Sequence, residues 1–394
     1  MMLPGFVTTP NATILVTGSS GFVGARLVEM LLERKAKKVV CFDVTEPSPD
    51  LIRRFNIAAG QDSSRLSIFS GFEKGNLVRI DAVQSAFASE KQIDVVYHIA
   101  ALVGPFHDRS KYMDVNYKGT LHILEACKQF KVPRLVFSSS PSTRFTGKDI
   151  EGLREDEMDI PKTFLALYAE TKAYAEQEVS RANNPKDNFF TVSVAPHQVY
   201  GPYDPLFLPA LLETAGNGRL RIFGNGQNKI SVCYVDNYCH GLICGADSLH
   251  VGSPSLGKFY IVTDGPEQYF WHILNQAVVS MGFTSLYSKF HLPTWFLMIL
   301  AYTCNFLGWI LNKKFKLNPF NVKMLTIHRY FSIENASRDL KYEPLVSFEE
   351  GWKKTIVWHK QYWLPEFEER RKQGKGTAIQ SLHNEEDKKK NKMA

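Results

Sequence analysis

Tyr168 and Lys172 stand four residues apart in the run Tyr168-Ala169-Glu170-Thr171-Lys172, a spacing that puts both side chains on one face of a helix. A tyrosine with an ordinary pKa of about 10 is a poor base at neutral pH. A lysine ammonium beside it, together with the positive ring of an oxidised nicotinamide, favours the phenolate. Tyr168 is then able to take the proton of a substrate hydroxyl as hydride leaves the same carbon, with Lys172 also binding the nicotinamide ribose. Ser138-Ser139-Ser140 closes a strand-like run 30 residues before Tyr168. Doubly wound sheets bind ligands at such strand ends, where a hydroxyl is able to hold the substrate oxygen.

A second constellation lies near the N-terminus. Thr17-Gly18-Ser19-Ser20-Gly21-Phe22-Val23-Gly24 follows a β-rich run and opens a helical one. Gly18, Gly21 and Gly24 permit a tight turn, close approach of a pyrophosphate and tight packing of helix on strand. Phe22 and Val23 then begin a helix whose free N–H groups face the phosphates. Asp43 ends the next strand-like run, 19 residues beyond Gly24. A carboxylate there accepts hydrogen bonds from the adenosine ribose and repels a 2′-phosphate, and no arginine follows before Arg53. The pattern points to NAD rather than NADP.

Elements of alternating type must position these groups. Strand-like runs at Thr13–Thr17, Val39–Asp43, Leu66–Phe69, Val95–His98, Arg134–Ser138 and Thr191–Ala195 are separated by helical periodicity, notably at Phe22–Arg34, Lys118–Phe130 and Leu167–Arg181. This alternation predicts an α/β Rossmann fold, a doubly wound parallel sheet with helices on both faces. The division expected is an N-terminal extension over 1–11, a cofactor domain carrying the catalytic residues over 12–196, a smaller α+β substrate-binding region over 197–363, and a disordered charged tail over 364–394. Ser347-Phe348-Glu349-Glu350 reads as a capping box opening a helix to about Tyr362.

The 47 basic and 40 acidic residues are not gathered into basic stripes, which argues against nucleic-acid binding. The six cysteines include no Cys-x-x-Cys pair, sit mostly in apolar runs and read as reduced core residues, with no metal site. No secretory signal pattern is expected in residues 1–11. Leu292–Leu311 is uncharged and almost wholly apolar, with Lys313, Lys314 and Lys316 behind it. At about 20 residues it reaches the length of a membrane span. Trp295 and Trp309 lie about 21 Å apart at helical rise, short of the roughly 30 Å hydrocarbon core, so the segment is expected to lie in the interface or to re-enter.

Taken together the sequence resembles the 3β-hydroxysteroid dehydrogenase family of extended short-chain dehydrogenases, and within it the sterol-4α-carboxylate 3-dehydrogenase (decarboxylating) branch. The residues carrying the resemblance are the glycine motif, His98-Ile99-Ala100-Ala101, Asn116-Tyr117-Lys118-Gly119-Thr120, the serines, Tyr168 to Lys172, Pro196-His197, Tyr200-Gly201-Pro202, Phe223-Gly224-Asn225-Gly226 and Tyr330-Phe331-Ser332. It runs from about Ala12 to Trp363. It implies Tyr168 as general base, Lys172 as the lysine that tunes it and binds cofactor, and Ser140 as the oxygen-holding serine. Ala100 and Ala101 would flank the bridge of the dinucleotide, with Pro196 near the nicotinamide. Three positions depart from the family pattern: Asn76 follows Gly75 where an aspartate is usual, Ala195 replaces a frequent arginine, and Pro141 follows the serines.

The implied activity is NAD-dependent oxidation of a sterol 3β-hydroxyl with loss of a 4α-carboxylate, in sterol biosynthesis. The alternative within the family is a 3β-hydroxy-Δ5-steroid dehydrogenase/isomerase. A nucleotide-sugar epimerase would share the motifs but has no use for the apolar segment, and outside enzymes an NAD-binding sensor or scaffold at a membrane would share the cofactor site. No residue stands out as a dedicated decarboxylation group; Arg144 and His197 are candidates for holding a substrate carboxylate. The partners expected are the sterol, the cytosolic face of the endoplasmic reticulum membrane and other sterol-demethylation enzymes. Lys390 and Lys392, fifth and third from the end, resemble a dilysine retrieval signal.

Overall fold

Seven β-branched, apolar runs pair side by side in parallel: β1 (Thr13–Thr17), β2 (Lys38–Asp43), β3 (Leu66–Ser70), β4 (Val95–His98), β5 (Arg134–Ser138), β6 (Phe190–Pro196) and β7 (Phe259–Val262). The computed structural model describes residues 11–104, 107–311 and 317–373. The strand order across the sheet is β7-β6-β5-β4-β1-β2-β3. The chain therefore winds one way from β1 to β3 and the other way from β4 to β7, leaving a crevice between β1 and β4 at their carboxyl ends. Every residue of β1 and of β4 is buried, as expected of central parallel strands covered on both faces.

The principal helices are α1 (Phe22–Glu33), α2 (Gly119–Gln129), α3 (Leu167–Ala182), α4 (Val235–Asp247), α5 (Thr294–Leu311), α6 (Pro319–Met324), α7 (Phe348–Trp358) and α8 (Leu364–Lys372). Leu27, Val28 and Leu31 of α1 join Leu242 and Ile243 of α4 in one core layer, with Val16 and Val192 of the sheet. Ile123 and Cys127 of α2 pack with Ala175 and Val179 of α3 in the other, against Leu15 and Leu135. Five of the six cysteines are buried and Cys304 is half-buried.

The chain beyond Pro196 differs from expectation in two ways. First, β7 returns to the main sheet and pairs with β6 from Phe259↔Ser193 to Val262↔Pro196, so a boundary at 196 cuts across the sheet. The rest of that region adds a small sheet in which Ile150–Leu153, Arg329–Phe331, Lys229–Ile230 and Gln268–Tyr269 lie side by side. Second, the chain stays helical past Trp363. Ser347 caps α7 by accepting from Glu350 N at 3.3 Å, and a π-turn over His359–Trp363 leads into α8. Phe367 of α8 is buried and stacks on Trp363 at 5.0 Å, an apolar anchor that the charged composition around it obscures. The expected disordered tail thus begins no earlier than residue 374; residues 374–394 with the dilysine pair, 312–316 with the lysines after α5, and 1–10 lie outside the described residues.

α5 is held by one narrow stripe. Leu297 and Ala301 pack against Val322 of α6, with Gly308 buried further along. Only 17% of this helix is buried, and Trp295 and Trp309 are 67% and 79% exposed. The apolar run is not a buried core helix.

Candidate active site

The glycine turn sits where β1 delivers the chain to α1. Gly18 has φ +72°, and a Cβ on it would lie 2.8 Å from Ala100 N, so only glycine lets the turn pass this close to the chain leaving β4. A Cβ on Gly24 would fall 1.9 Å from Gly18 O, which explains the glycine that seats helix on turn. Gly21 precedes α1 with no side-chain cap, so the N–H groups of Phe22 and Val23 begin the helix without a side-chain partner. Asp43 turns back on this loop, its Oδ2 accepting from Ser20 N at 2.9 Å and its Oδ1 from Thr45 N at 2.7 Å. Burial pushes the Asp43 carboxyl upward, opposed by those backbone donors. Gly75 backs it: a Cβ there would come 1.8 Å from Asp43 O. The site fits NAD, since the turn leaves no room for side chains and the Asp43 carboxylate closes on it.

Across the crevice, Thr17 ties β1 to β4. Its Oγ1 accepts from Ile99 N and Ala100 N, both at 3.1 Å, and hydrogen-bonds His98 Nδ1 at 2.8 Å. His98 Nε2 meets Thr120 Oγ1 at 2.9 Å, and burial lowers this imidazole to about 3, so it is neutral. The chain after Ala100-Ala101 is fixed by Asn116, whose side chain accepts from Leu102 N at 2.8 Å and donates to Leu102 O at 3.1 Å. Asn116 reaches it from a π-helical turn, Met113–Lys118, ahead of α2.

α3 carries Tyr168, Lys172 and Glu176 on one face, one turn apart. Tyr168 is half-buried with Ser140 nearby; desolvation pushes its phenol up to about 12, and Ser140 opposes this. Lys172 is buried, donates to Ser138 O at 2.5 Å and lies 4.0 Å from the Phe137 ring centre. Desolvation lowers its ammonium to about 7, opposed by the charge of Glu176. Desolvation works against the phenolate that proton abstraction requires, and the positive ring of an oxidised nicotinamide, with Lys172 beside it, would favour that phenolate.

The serine segment is organised by Pro141. Ser140 caps a 3-10 turn over Pro141–Arg144, where proline fits the first position, and its hydroxyl accepts from Ser142 Oγ at 2.9 Å. The departure at 141 therefore still leaves Ser140 near enough to Tyr168 to act on its phenol. Ser138 Oγ is committed to Tyr238 OH at 2.7 Å, and Ser139 Oγ donates to Glu176 Oε2 at 2.6 Å. Pro196 ends β6 on the neighbouring strand, its register partner Val262 on β7.

Neither sequence candidate for holding a carboxylate is free to do so. Arg144 Nη1 is 2.5 Å from Glu176 Oε1, with both side chains buried, and its guanidinium covers the Phe259 ring at 3.5 Å. His197 is buried, hydrogen-bonds Ser231 O through Nδ1 at 2.6 Å, and is lowered to about 3 by desolvation and the nearby charge of Arg329. A neutral, occupied imidazole is no cation. Sequence reasoning missed Glu176, which the repeat of four residues after Tyr168 and Lys172 would have found, and it missed the roles of Thr17 and Asn116.

The parallel sheet, glycine turn and Tyr168–Lys172–Ser140 cluster define a dinucleotide-dependent oxidoreductase of the extended short-chain class. Within that class the chain belongs to the 3-beta hydroxysteroid dehydrogenase/isomerase family, whose model matches residues 15–293. It is 30% identical over 346 residues to the human sterol-4-alpha-carboxylate 3-dehydrogenase, decarboxylating, a match covering 86% of each chain. It is also 31% identical over 341 residues to the 2-alkyl-3-oxoalkanoate reductase of Stenotrophomonas maltophilia, covering 86% of this chain and 96% of that one. Among solved structures it resembles the UDP-glucuronic acid 4-epimerase of Bacillus cereus in fold, with a TM-score of 0.64 at 23% identity over 89% of this chain and 99% of the other.

Proposed function

We propose that this protein oxidises the 3β-hydroxyl of a sterol bearing a 4α-carboxylate, and that the carboxylate then leaves as carbon dioxide. The observation that carries the reading is the Tyr168–Ser140–Lys172 cluster at the sheet's carboxyl end, in a chain 30% identical to the human decarboxylating enzyme along 86% of its length. The bacterial relative supports the same substrate chemistry. A 2-alkyl-3-oxoalkanoate is a β-keto acid, and so is a 4-carboxysterol once its 3-hydroxyl has become a ketone.

NAD, when bound, supplies the hydride acceptor. Gly18, Gly21, Phe22, Val23 and Gly24 hold its pyrophosphate, Asp43 its adenosine ribose, and Ala100, Ala101 and Pro196 line its path toward Lys172. Tyr168 and Ser140 together hold the 3-oxygen, and Tyr168 accepts the hydroxyl proton. The β-keto acid so formed loses carbon dioxide by breaking the bond between carbon 4 and the carboxyl carbon. The electron pair moves onto the ketone oxygen, where the same two hydroxyls donate to the developing enolate. Tyr168 returns to the enolate oxygen the proton it took from the hydroxyl and the enol tautomerises to the ketone, so no separate acid is required.

The exposed face of α5 supports contact with a bilayer, from which a sterol would be drawn. At 18 residues the helix is about 27 Å long, under the roughly 30 Å of a hydrocarbon core, and tryptophans mark both ends. We place it in the interface on the cytosolic face of the endoplasmic reticulum, near the enzymes that demethylate sterols. The test of the activity is NADH formation by the purified protein with a 4α-carboxysterol and with a 3β-hydroxy-Δ5 steroid. Turnover of the carboxysterol supports the reading. Turnover of the Δ5 steroid with a shift of its double bond, and none of the carboxysterol, replaces it with the isomerase.

A further inference from the structure

Arg144 is committed to Glu176 and Lys172 to Ser138 O, while a third cation, Arg329, acts by its charge on His197 after the end of β6. Arg329 is different. It opens the strand Arg329–Phe331, whose backbone is fixed on both sides by pairing with Ile150 and Ile230. Its Nη2 donates to Met324 O at 3.1 Å, its Nε is buried with no hydrogen-bond partner, and no carboxylate among the described residues forms an ion pair with it. Burial lowers the guanidinium to about 10, with no acidic charge opposing. Arg329 is half-buried, and a guanidinium whose five donors are only partly paired is suited to take an anion.

Its position relates it to the site. Phe331, two residues on and therefore on the same face of the strand, packs on His197 with ring centres 5.0 Å apart. Ser231 links the two, its Oγ accepting from Phe331 N at 3.0 Å and its carbonyl hydrogen-bonding His197 Nδ1 at 2.6 Å. His197 directly follows Pro196 at the end of β6, beside the strand that delivers Ser140. The glycine turn that holds phosphate follows β1, three strand positions away across β5 and β4. That is about 14 Å at the spacing of paired strands, so a cofactor phosphate does not reach Arg329.

We propose that Arg329 is the specificity residue for the substrate, binding the carboxylate on carbon 4 while Tyr168 and Ser140 hold the oxygen on carbon 3. This rests on the reading of the substrate as a 3-hydroxy acid. Arginine suits the task because its planar fork takes both carboxylate oxygens at once. The pair is made in the bound acid and is lost as the carboxyl carbon departs as neutral carbon dioxide, so Arg329 acts on binding more than on the hydride step.

The test compares wild type, Arg329→Gln and Arg329→Lys with three ligands: a 4α-carboxysterol, its methyl ester and the sterol lacking the carboxylate. Binding is read by quenching of tryptophan fluorescence without cofactor, and turnover by NADH. Arg329→Gln weakens carboxysterol binding and raises its KM about 30-fold or more, with kcat little changed and the uncarboxylated sterol unaffected. Wild type shows the same deficit on the methyl ester, and Arg329→Lys, which keeps the charge, recovers part of it. If wild type oxidises the carboxysterol yet Arg329→Gln binds it as tightly, this inference fails alone. If wild type turns over only the uncarboxylated sterol, the substrate reading and the inference fall together. If Arg329→Gln does not fold, equal affinity of wild type for acid and ester overturns the inference, and partial retention in Arg329→Lys supports it.

Discussion

Arg144→Met separates a structural cation from a substrate-binding one. In the structure Arg144 and Glu176 form a buried pair at 2.5 Å, and Glu176 also accepts from Ser139 Oγ at 2.6 Å. Removing the arginine leaves a carboxylate in a site that excludes water, a change that costs about 3–5 kcal/mol when one partner of a buried pair is deleted. Loss of the guanidinium over Phe259 adds up to about 2 kcal/mol. Removing both charges, in Arg144→Met with Glu176→Leu, relieves the unpaired charge and recovers most of the stability. The assay is urea unfolding of the three variants and wild type at constant m. Activity should fall for every sterol alike, because the Ser139–Ser140 segment loosens. A midpoint for Arg144→Met within about 0.5 kcal/mol of wild type, with loss confined to carboxylated substrates, would refute this reasoning and return Arg144 to the role of carboxylate ligand.

Tyr168→Phe should lower kcat about 10²–10⁴-fold while NADH binding persists, because the phenol moves the proton and does not anchor the cofactor; near-normal turnover would exclude it as the base. Asp43→Ala, with a basic residue supplied at Val44, should narrow the preference of kcat/KM for NAD over NADP. Gly75→Ala should weaken NAD binding without touching Tyr168, since its Cβ would fall 1.8 Å from Asp43 O and displace that strand end. Acid should destabilise the fold well before carboxylates titrate. His98 and His197 both have folded pKa values of about 3, below the unfolded value, so stability is full above about pH 6.5 and falls as pH drops toward 3. The slope is about 1.4 kcal/mol per pH unit for each, partly offset below pH 6 by Asp264, whose carboxyl is raised to about 6 by burial. Urea midpoints that do not change between pH 7 and 5 would contradict this. Trp295→Ser with Trp309→Ser should reduce flotation with lipid vesicles and leave the unfolding midpoint unchanged, because both indoles are exposed.

The sheet was legible because its strands are short, β-branched and separated by helices of clear period. β1 and β4 through β6 are found within a residue or two of the expected runs, and helix α3 extends one residue past its expected end. The glycine turn and Asp43 were legible because backbone geometry there tolerates few residues. β7 was not, since its partner β6 is more than sixty residues away in sequence and only tertiary pairing reveals it. The charge pairs were equally hidden. Nothing local says that Arg144 meets Glu176, or that Arg329 meets no acid, and these long-range facts reverse the choice of carboxylate ligand. Burial at Tyr168 was equally hidden, and desolvation raises its phenol.

In the proposed function, oxidation at carbon 3 and loss of the carboxylate at carbon 4 are one reaction sequence at one site. It is tested most directly by supplying NAD and a 4α-carboxysterol labelled in the carboxyl carbon, and counting products. Labelled carbon dioxide and NADH are expected mole for mole, both abolished in Tyr168→Phe. NADH without carbon dioxide, and an intact carboxylated ketone recovered from the enzyme, would contradict it.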